Sequence, residues 1–170
     1  MLPSALTDVI EELSRLPGVG SRTAERYAYF LLKADQNVAK NIATSLEHLH
    51  DGVKSCPKTF ALMSDNDELS PLYDDPRRDK TTVLVVEEAL DIYAIENTKS
   101  YDGTYHVLGG AISPMDGIGP ADIAKDSLVK RVAEGGVREV ILALSSTMEG
   151  YTTNFYISRK LAPYDVELSV

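Results

Sequence analysis

The first residues placed to do chemistry are Pro17-Gly18-Val19-Gly20, followed by Ser21, Arg22 and Arg26. Proline fixes φ and glycine tolerates positive φ, so the run turns the chain. Small residues there also let backbone N–H groups at the start of a following helix approach a phosphate without side-chain obstruction. Arg22 and Arg26 stand four apart, hence on one helical face, where each can engage a phosphate. The competing reading is an ordinary helical turn with solvated arginines. The second group is Glu87-Glu88, with Asp91 one turn on and Glu149 further along. Carboxylates at the carboxyl edge of a parallel sheet are where ligands or Mg²⁺ bind in α/β folds. They serve equally well as helix-start carboxylates favoured by the helix dipole. The third is the glycine-rich run from His106-Val107-Leu108-Gly109-Gly110 to Asp116-Gly117-Ile118-Gly119-Pro120. It lacks both Gly-x-Gly-x-x-Gly and the Gly-Lys-Ser/Thr of a P-loop. It therefore reads as a long ordered loop with several positions open to positive φ.

The elements that must position these residues follow from hydrophobic periodicity. Leu6, Val9, Ile10 and Leu13 predict an amphipathic helix over 5–16. After the Pro-Gly-Val-Gly break, Ser21 is placed to cap a second helix whose apolar face is Ala24, Tyr27, Ala28 and Leu31. Val38, Ile42, Leu46 and Leu49 mark a third, with Asp35 near its start. Three helices can close a small module, and the break between the first two resembles a helix-hairpin-helix. From Asp51 to Lys80 periodicity is lost and prolines accumulate, as in a loop-rich connection. Thr81–Val86 reads as a strand buried on both faces of a mainly parallel sheet. A helix over Ala89–Glu96 follows. Further strands are expected at Tyr105–Leu108, Val137–Leu144 and Val166–Val170, alternating with helices near Ile123–Ala133 and Thr152–Leu161. The expected fold is α/β: a helical module over 1–52, a connecting segment over 53–80, and a mainly parallel sheet domain over 81–170.

Composition bounds the function. The chain has 170 residues, 44% apolar and 25% charged, which suits folded units rather than disorder or a fibrous repeat. Its apolar runs, such as Val83–Val86, fall far short of the roughly twenty residues of a membrane span, and Met1-Leu2-Pro3-Ser4 lacks the basic start of a signal peptide. A soluble cytoplasmic protein is expected. Net charge is −9, from 17 basic and 26 acidic residues, which argues against a large basic surface. Nucleic-acid binding must then be local or shared with partners. One cysteine, Cys56, excludes an internal disulfide framework and a four-thiolate zinc site.

Taken with Asp75-Pro76-Arg77-Arg78-Asp79 and the strand ending Val86-Glu87-Glu88, the hairpin and the Tyr105–Pro120 run resemble the bacterial RecR recombination mediator family, over about Leu6 to Val170. The strand and its glutamate are similar to the Toprim domain of primases, topoisomerases and recombination proteins. In catalytic Toprim members a later strand ends in Asp-x-Asp; here Val140–Leu144 is followed by Ser145-Ser146-Thr147-Met148-Glu149, which cannot form a two-metal clamp. No catalysis is expected. The resemblance implies a non-enzymatic DNA-repair protein, a homo-oligomer (dimer or ring-like tetramer), that acts with RecO-like and RecF-like proteins to load RecA on gapped DNA. It carries DNA contact over to Arg22 and Arg26, beside Gly18 and Gly20 of the same hairpin; the acidic group Glu87, Glu88, Asp91 and Glu149 near one sheet edge is, on charge alone, a candidate to meet a basic partner surface. Two alternatives belong to other classes: a Toprim nuclease or primase fragment, and a protein-only docking module without DNA binding.

The resemblance also implies a structural zinc held by two Cys-x-x-Cys pairs. Their positions fall on Cys56 and Thr59, then Ser70 and Tyr73, so only Cys56 of four ligands remains. His48 and His50, at i and i+2, point to different helix faces and do not rescue the set. No metal or other cofactor is expected; Phe60, Leu62, Leu69, Leu72 and Tyr73 would hold the segment by packing. Family members continue past the strand at Val166–Val170 with a basic, glycine-containing segment and a final helix used in subunit contacts, which bears on ring closure.

Overall fold

The computed structural model describes residues 2–170. They divide into two units, one ending at Asp51 and the other covering Gly52–Val170.

The first unit is helical: α1 (Ser4–Ser14), α2 (Ser21–Lys33) and α3 (Gln36–Glu47), with a one-turn α4 (Leu49–Gly52) beginning at its end. Leu6, Ile10 and Leu13 of α1 are half-buried, and α1 packs on α2, where the small residues Ala24 and Ala28 are buried. Asp35 caps α3, its carboxylate accepting from the Asn37 N–H at 2.8 Å. The closed three-helix core expected from periodicity does not form among the described residues. Tyr27, Ile42, Leu46 and Leu49 remain exposed, because about fifty residues in short helices cannot enclose a core of their own.

The second unit begins with an antiparallel ribbon, β1 (Val53–Ser55) and β2 (Leu62–Ser64), followed by a one-turn α5 (Pro71–Asp74). Then come β3 (Asp79–Val86), α6 (Asp91–Thr98), β4 (Gly103–Val107), a 3-10 turn at Pro114–Asp116, α7 (Lys125–Ala133), β5 (Glu139–Leu142), α8 (Met148–Leu161) and β6 (Glu167–Ser169). The four-stranded sheet runs β4-β3-β5-β6 and is parallel throughout. Its central strand β3 is buried on both faces, the reason for its unbroken apolar run. Val83, Val85, Val140 and Leu142 face Leu128 and Val132 of α7 and Ile157 and Leu161 of α8. Leu84, Val86, Tyr105 and Val107 face Ile92 of α6 and Ala61 of the ribbon segment.

Two further contacts tie the segment before the sheet into this unit. Arg78 donates to the Gly103 carbonyl at 3.0 Å and pairs with Glu96, which also accepts from the Tyr105 hydroxyl. β3 starts two residues earlier than expected because Asp79 pairs with Gly103, its N–H donating to the Asp102 carbonyl at 2.9 Å, while its carboxylate accepts from the Thr81 N–H and from the Thr81 and Thr82 hydroxyls. In the ribbon, alternation decides what packs: Ala61 and Met63 are buried, whereas Leu62, expected to hold the segment, is 41% exposed.

Candidate nucleic-acid interface

The turn before α2 is built on one glycine. Val19 N–H donates to the Leu16 carbonyl at 3.0 Å, and Gly18 between them has φ +76°, the geometry of a type II turn with Pro17 first. Gly20 plays a different part. Its φ of −80° and ψ of 167° are open to any residue, and a Cβ there would meet nothing within 4 Å. It occupies the N-cap position of α2, and Ser21, expected to be the cap, is instead the first helical residue. Among the described residues no side chain caps the helix, and its first turn carries no acid, so the positive end of α2 stands bare. Arg22 and Arg26 are exposed beside it and form no ion pair among the described residues. The structure thus brings together Gly20, Arg22 and Arg26, with Gly18 shaping the approach.

The acidic group is not assembled in the same sense. Glu87 leaves the end of β3 and its Oε1 accepts from the Ser145 N–H at 2.8 Å and the Ser145 hydroxyl at 2.7 Å. It therefore joins the ends of the two central strands. Ser145 shares a hydroxyl contact with Thr147, which caps α8 by accepting from the Gly150 N–H. Gly150 is obligatory here, since a Cβ would sit 1.9 Å from the Ser145 carbonyl oxygen. Asp91 accepts from the Glu88 N–H at 2.9 Å and organises the turn into α6. Glu88 is exposed and Glu149 half-buried. No group of three or more His, Cys, Asp or Glu able to hold a metal occurs among the described residues. Ser145 as the partner of Glu87 escaped the sequence reading because the two lie 58 positions apart and no spacing links them.

The glycine-rich run closes over the same strand ends. Gly109 and Gly110, both at positive φ, donate their N–H groups to the Glu87 carbonyl at 2.9 and 3.1 Å. The loop then bridges Ser113 to Ile118, and the Ile112 N–H donates to Thr153 of α8. His106 is fully buried; its Nε2 lies 2.7 Å from the Ala124 carbonyl, and burial pushes its pKa down to about 4. The neutral ring donates through Nε2, leaving Nδ1 without a partner.

The positions that would carry zinc now hold other bonds. Burial raises the Cys56 pKa, but the Thr59 hydroxyl and the backbone N–H groups of Ser70, Lys58 and Thr59 together hold the thiol below its ordinary value. Ser70 Oγ accepts from the Leu72 N–H as the cap of α5, and Thr59 Oγ1 accepts from the Ala61 N–H. Phe60 sits at φ +60°, with its ring edge-on to His106 at 5.5 Å. Tyr73 carries two cations against its ring, Lys80 and Arg131. One thiol, two engaged hydroxyls and a phenol flanked by positive charge do not fit Zn²⁺, which favours sulfur and imidazole.

Comparison with known proteins gives the same layout. The family profile described as RecR, helix-hairpin-helix matches residues 6–50, and the Toprim domain profile matches residues 81–170. The chain is 52% identical over 169 residues to the Recombination protein RecR of Parabacteroides distasonis, covering 99% of this chain and 80% of that one. It is 51% identical to the protein of that name from Bacteroides fragilis, with 99% and 82% covered. The Recombination protein RecR of Frankia casuarinae is 41% identical over 169 residues, with 99% and 84% covered. An uncapped hairpin helix, a parallel Toprim sheet and identity running through nearly the whole chain converge: this chain belongs to the RecR family of recombination proteins.

Proposed function

We propose that this protein is a non-enzymatic recombination mediator in DNA repair. It binds the DNA backbone through the hairpin before α2, works as a homo-oligomer in the cytoplasm, and acts with RecO-like and RecF-like proteins to load RecA on gapped DNA. The observation that carries the reading is Gly20. Neither its dihedrals nor its surroundings require a glycine, so the missing side chain serves an approach from outside, onto N–H groups flanked by Arg22 and Arg26. Contact with phosphates alone makes binding insensitive to base sequence. The apolar surface left open on the helical unit, including Phe30, Leu32 and Leu46, supports assembly with a second copy. The Glu87–Ser145 bond supports a structural, non-catalytic role for the Toprim carboxylate.

The test combines light-scattering mass with binding to gapped DNA across a salt series. An oligomer is expected, and Arg22→Ala/Arg26→Ala is expected to flatten the dependence of log K on log salt by about two, at about 0.9 for each phosphate no longer neutralised. A double variant with unchanged affinity and slope refutes the hairpin contact. A DNA-inert wild-type chain moves the function to protein docking.

A further inference from the structure

A second basic feature lies in the sheet-containing unit, away from the hairpin. Pro57, Lys58, Tyr73, Lys130 and Arg131 line a cleft of about 210 Å³, and an adjoining lobe of about 200 Å³ runs past Lys80 to the Gly135-Gly136 turn. Tyr73, Arg131 and Glu134 belong to both lobes, so they form one cleft around the Tyr73 ring. Lys80 Nζ lies 5.1 Å and Arg131 Cζ 5.2 Å from that ring's centroid. Four cations thus converge on a cleft in which Glu134 is the sole carboxylate among the described residues, in a chain of net charge −9. Glu134 reaches only Lys130, at 3.9 Å between exposed side chains.

Arg131 is the fixed point of the group. Its Nη1 donates to the Tyr105 carbonyl at 2.9 Å and its Nη2 to the Thr104 hydroxyl, which anchor it to β4. It forms no ion pair among the described residues, although it is partly buried. A desolvated guanidinium with neutral partners is costly unless an anion completes it.

We propose that this cleft binds a phosphate group, and that the phosphate belongs to a nucleic-acid backbone, giving the protein a DNA contact additional to the hairpin. Four cations set against a single carboxylate suit a negatively charged phosphate group. Lys80 and Arg131 already lie against the Tyr73 ring, where a stacking base would have to compete with them. Only the backbone source of the phosphate rests on the recombination reading; the anion site stands on the cleft itself.

The experiment uses the full chain. In amide NMR titrations, a gapped DNA duplex shifts Tyr73, Thr81 and Gly135, whereas inorganic phosphate shifts them only at far higher concentration. Lys58→Gln/Lys80→Gln, at two exposed positions, abolishes both responses. In DNA binding across a salt series, that variant lowers the slope by about one, and it does so equally in the Arg22→Ala/Arg26→Ala background. Glu134→Gln, which removes the opposing charge, tightens binding about threefold. Shifts with inorganic phosphate and none with DNA overturn the nucleic-acid source. No shifts with either, or an unchanged slope in the lysine variant, overturn the site. Failure of Arg22→Ala/Arg26→Ala to weaken binding bears on the hairpin alone, so the two readings fall separately.

Discussion

Glu87 spends its charge inside the protein. A carboxylate receiving two hydrogen bonds from Ser145 acts as a clasp between the ends of β3 and β5. Charge-assisted hydrogen bonds contribute more than neutral ones. Glu87→Gln is therefore expected to cost about 1 kcal/mol and Glu87→Ala about 2 kcal/mol in urea unfolding, while affinity for gapped DNA stays within twofold. A metal-dependent cleavage activity abolished by Glu87→Gln would restore the enzyme alternative instead. His106 contributes a pH dependence of its own between about pH 4 and pH 6.5. Its folded pKa of about 4 lies below the ordinary 6.5 because burial disfavours the charged ring. On acidification the unfolded chain takes up this proton first. The stabilisation is complete above about pH 6.5 and is lost as pH falls toward 4, at about tenfold in the folding equilibrium per unit. Urea midpoints at pH 6.5 and pH 5 should show the loss, and His106→Phe should remove most of that difference. Carboxylates held low by partners, such as Asp75 beside Arg77, are lost at lower pH and do not confuse this window.

At the scale of elements, α2 separates structure from function through its two glycines. Gly18 is needed by the turn, since any other residue at φ +76° is strained by about 1 kcal/mol or more. Gly20 lies in the extended region where serine is a better N-cap, so Gly20→Ser should leave stability unchanged or raise it by a few tenths of a kcal/mol. The same substitution puts a hydroxyl over the N–H groups offered to DNA. Melting temperature and DNA affinity should then move in opposite directions, with affinity falling several-fold. If both fall together, Gly20 serves the fold and the phosphate reading of the hairpin loses its main support. In the Toprim unit the α8 start is bound by a different constraint, the close approach of Gly150 to the Ser145 carbonyl.

For the whole molecule, a donor set around Cys56 that does not fit Zn²⁺ leaves the ribbon segment to be held by other bonds. We propose that hydrogen bonds to Cys56 Sγ and packing of Ala61, Phe60 and Leu72 against the sheet replace a structural zinc. A strong chelator is expected to leave the circular dichroism spectrum and melting temperature unchanged; loss of either would show a metal-dependent fold. Period and motif were enough to read the layout from the sequence. Three amphipathic patterns, a doubly buried strand and the alternation after it specify a helical unit followed by a parallel sheet, because helix and strand periodicities are local. The grouping of Gly18, Gly20, Arg22 and Arg26 at one turn was legible for the same reason, since they are neighbours in the chain. Three matters awaited the tertiary structure. The helical unit leaves Ile42 and Leu46 uncovered, Glu87 meets Ser145, and Lys58, Lys80, Lys130 and Arg131 gather around Tyr73. The last two depend on residues far apart in sequence that meet only when the sheet order β4-β3-β5-β6 and the folded ribbon bring them together, which no spacing along the chain encodes; the first depends on how the three helices of the other unit pack, which their separate periodicities do not specify.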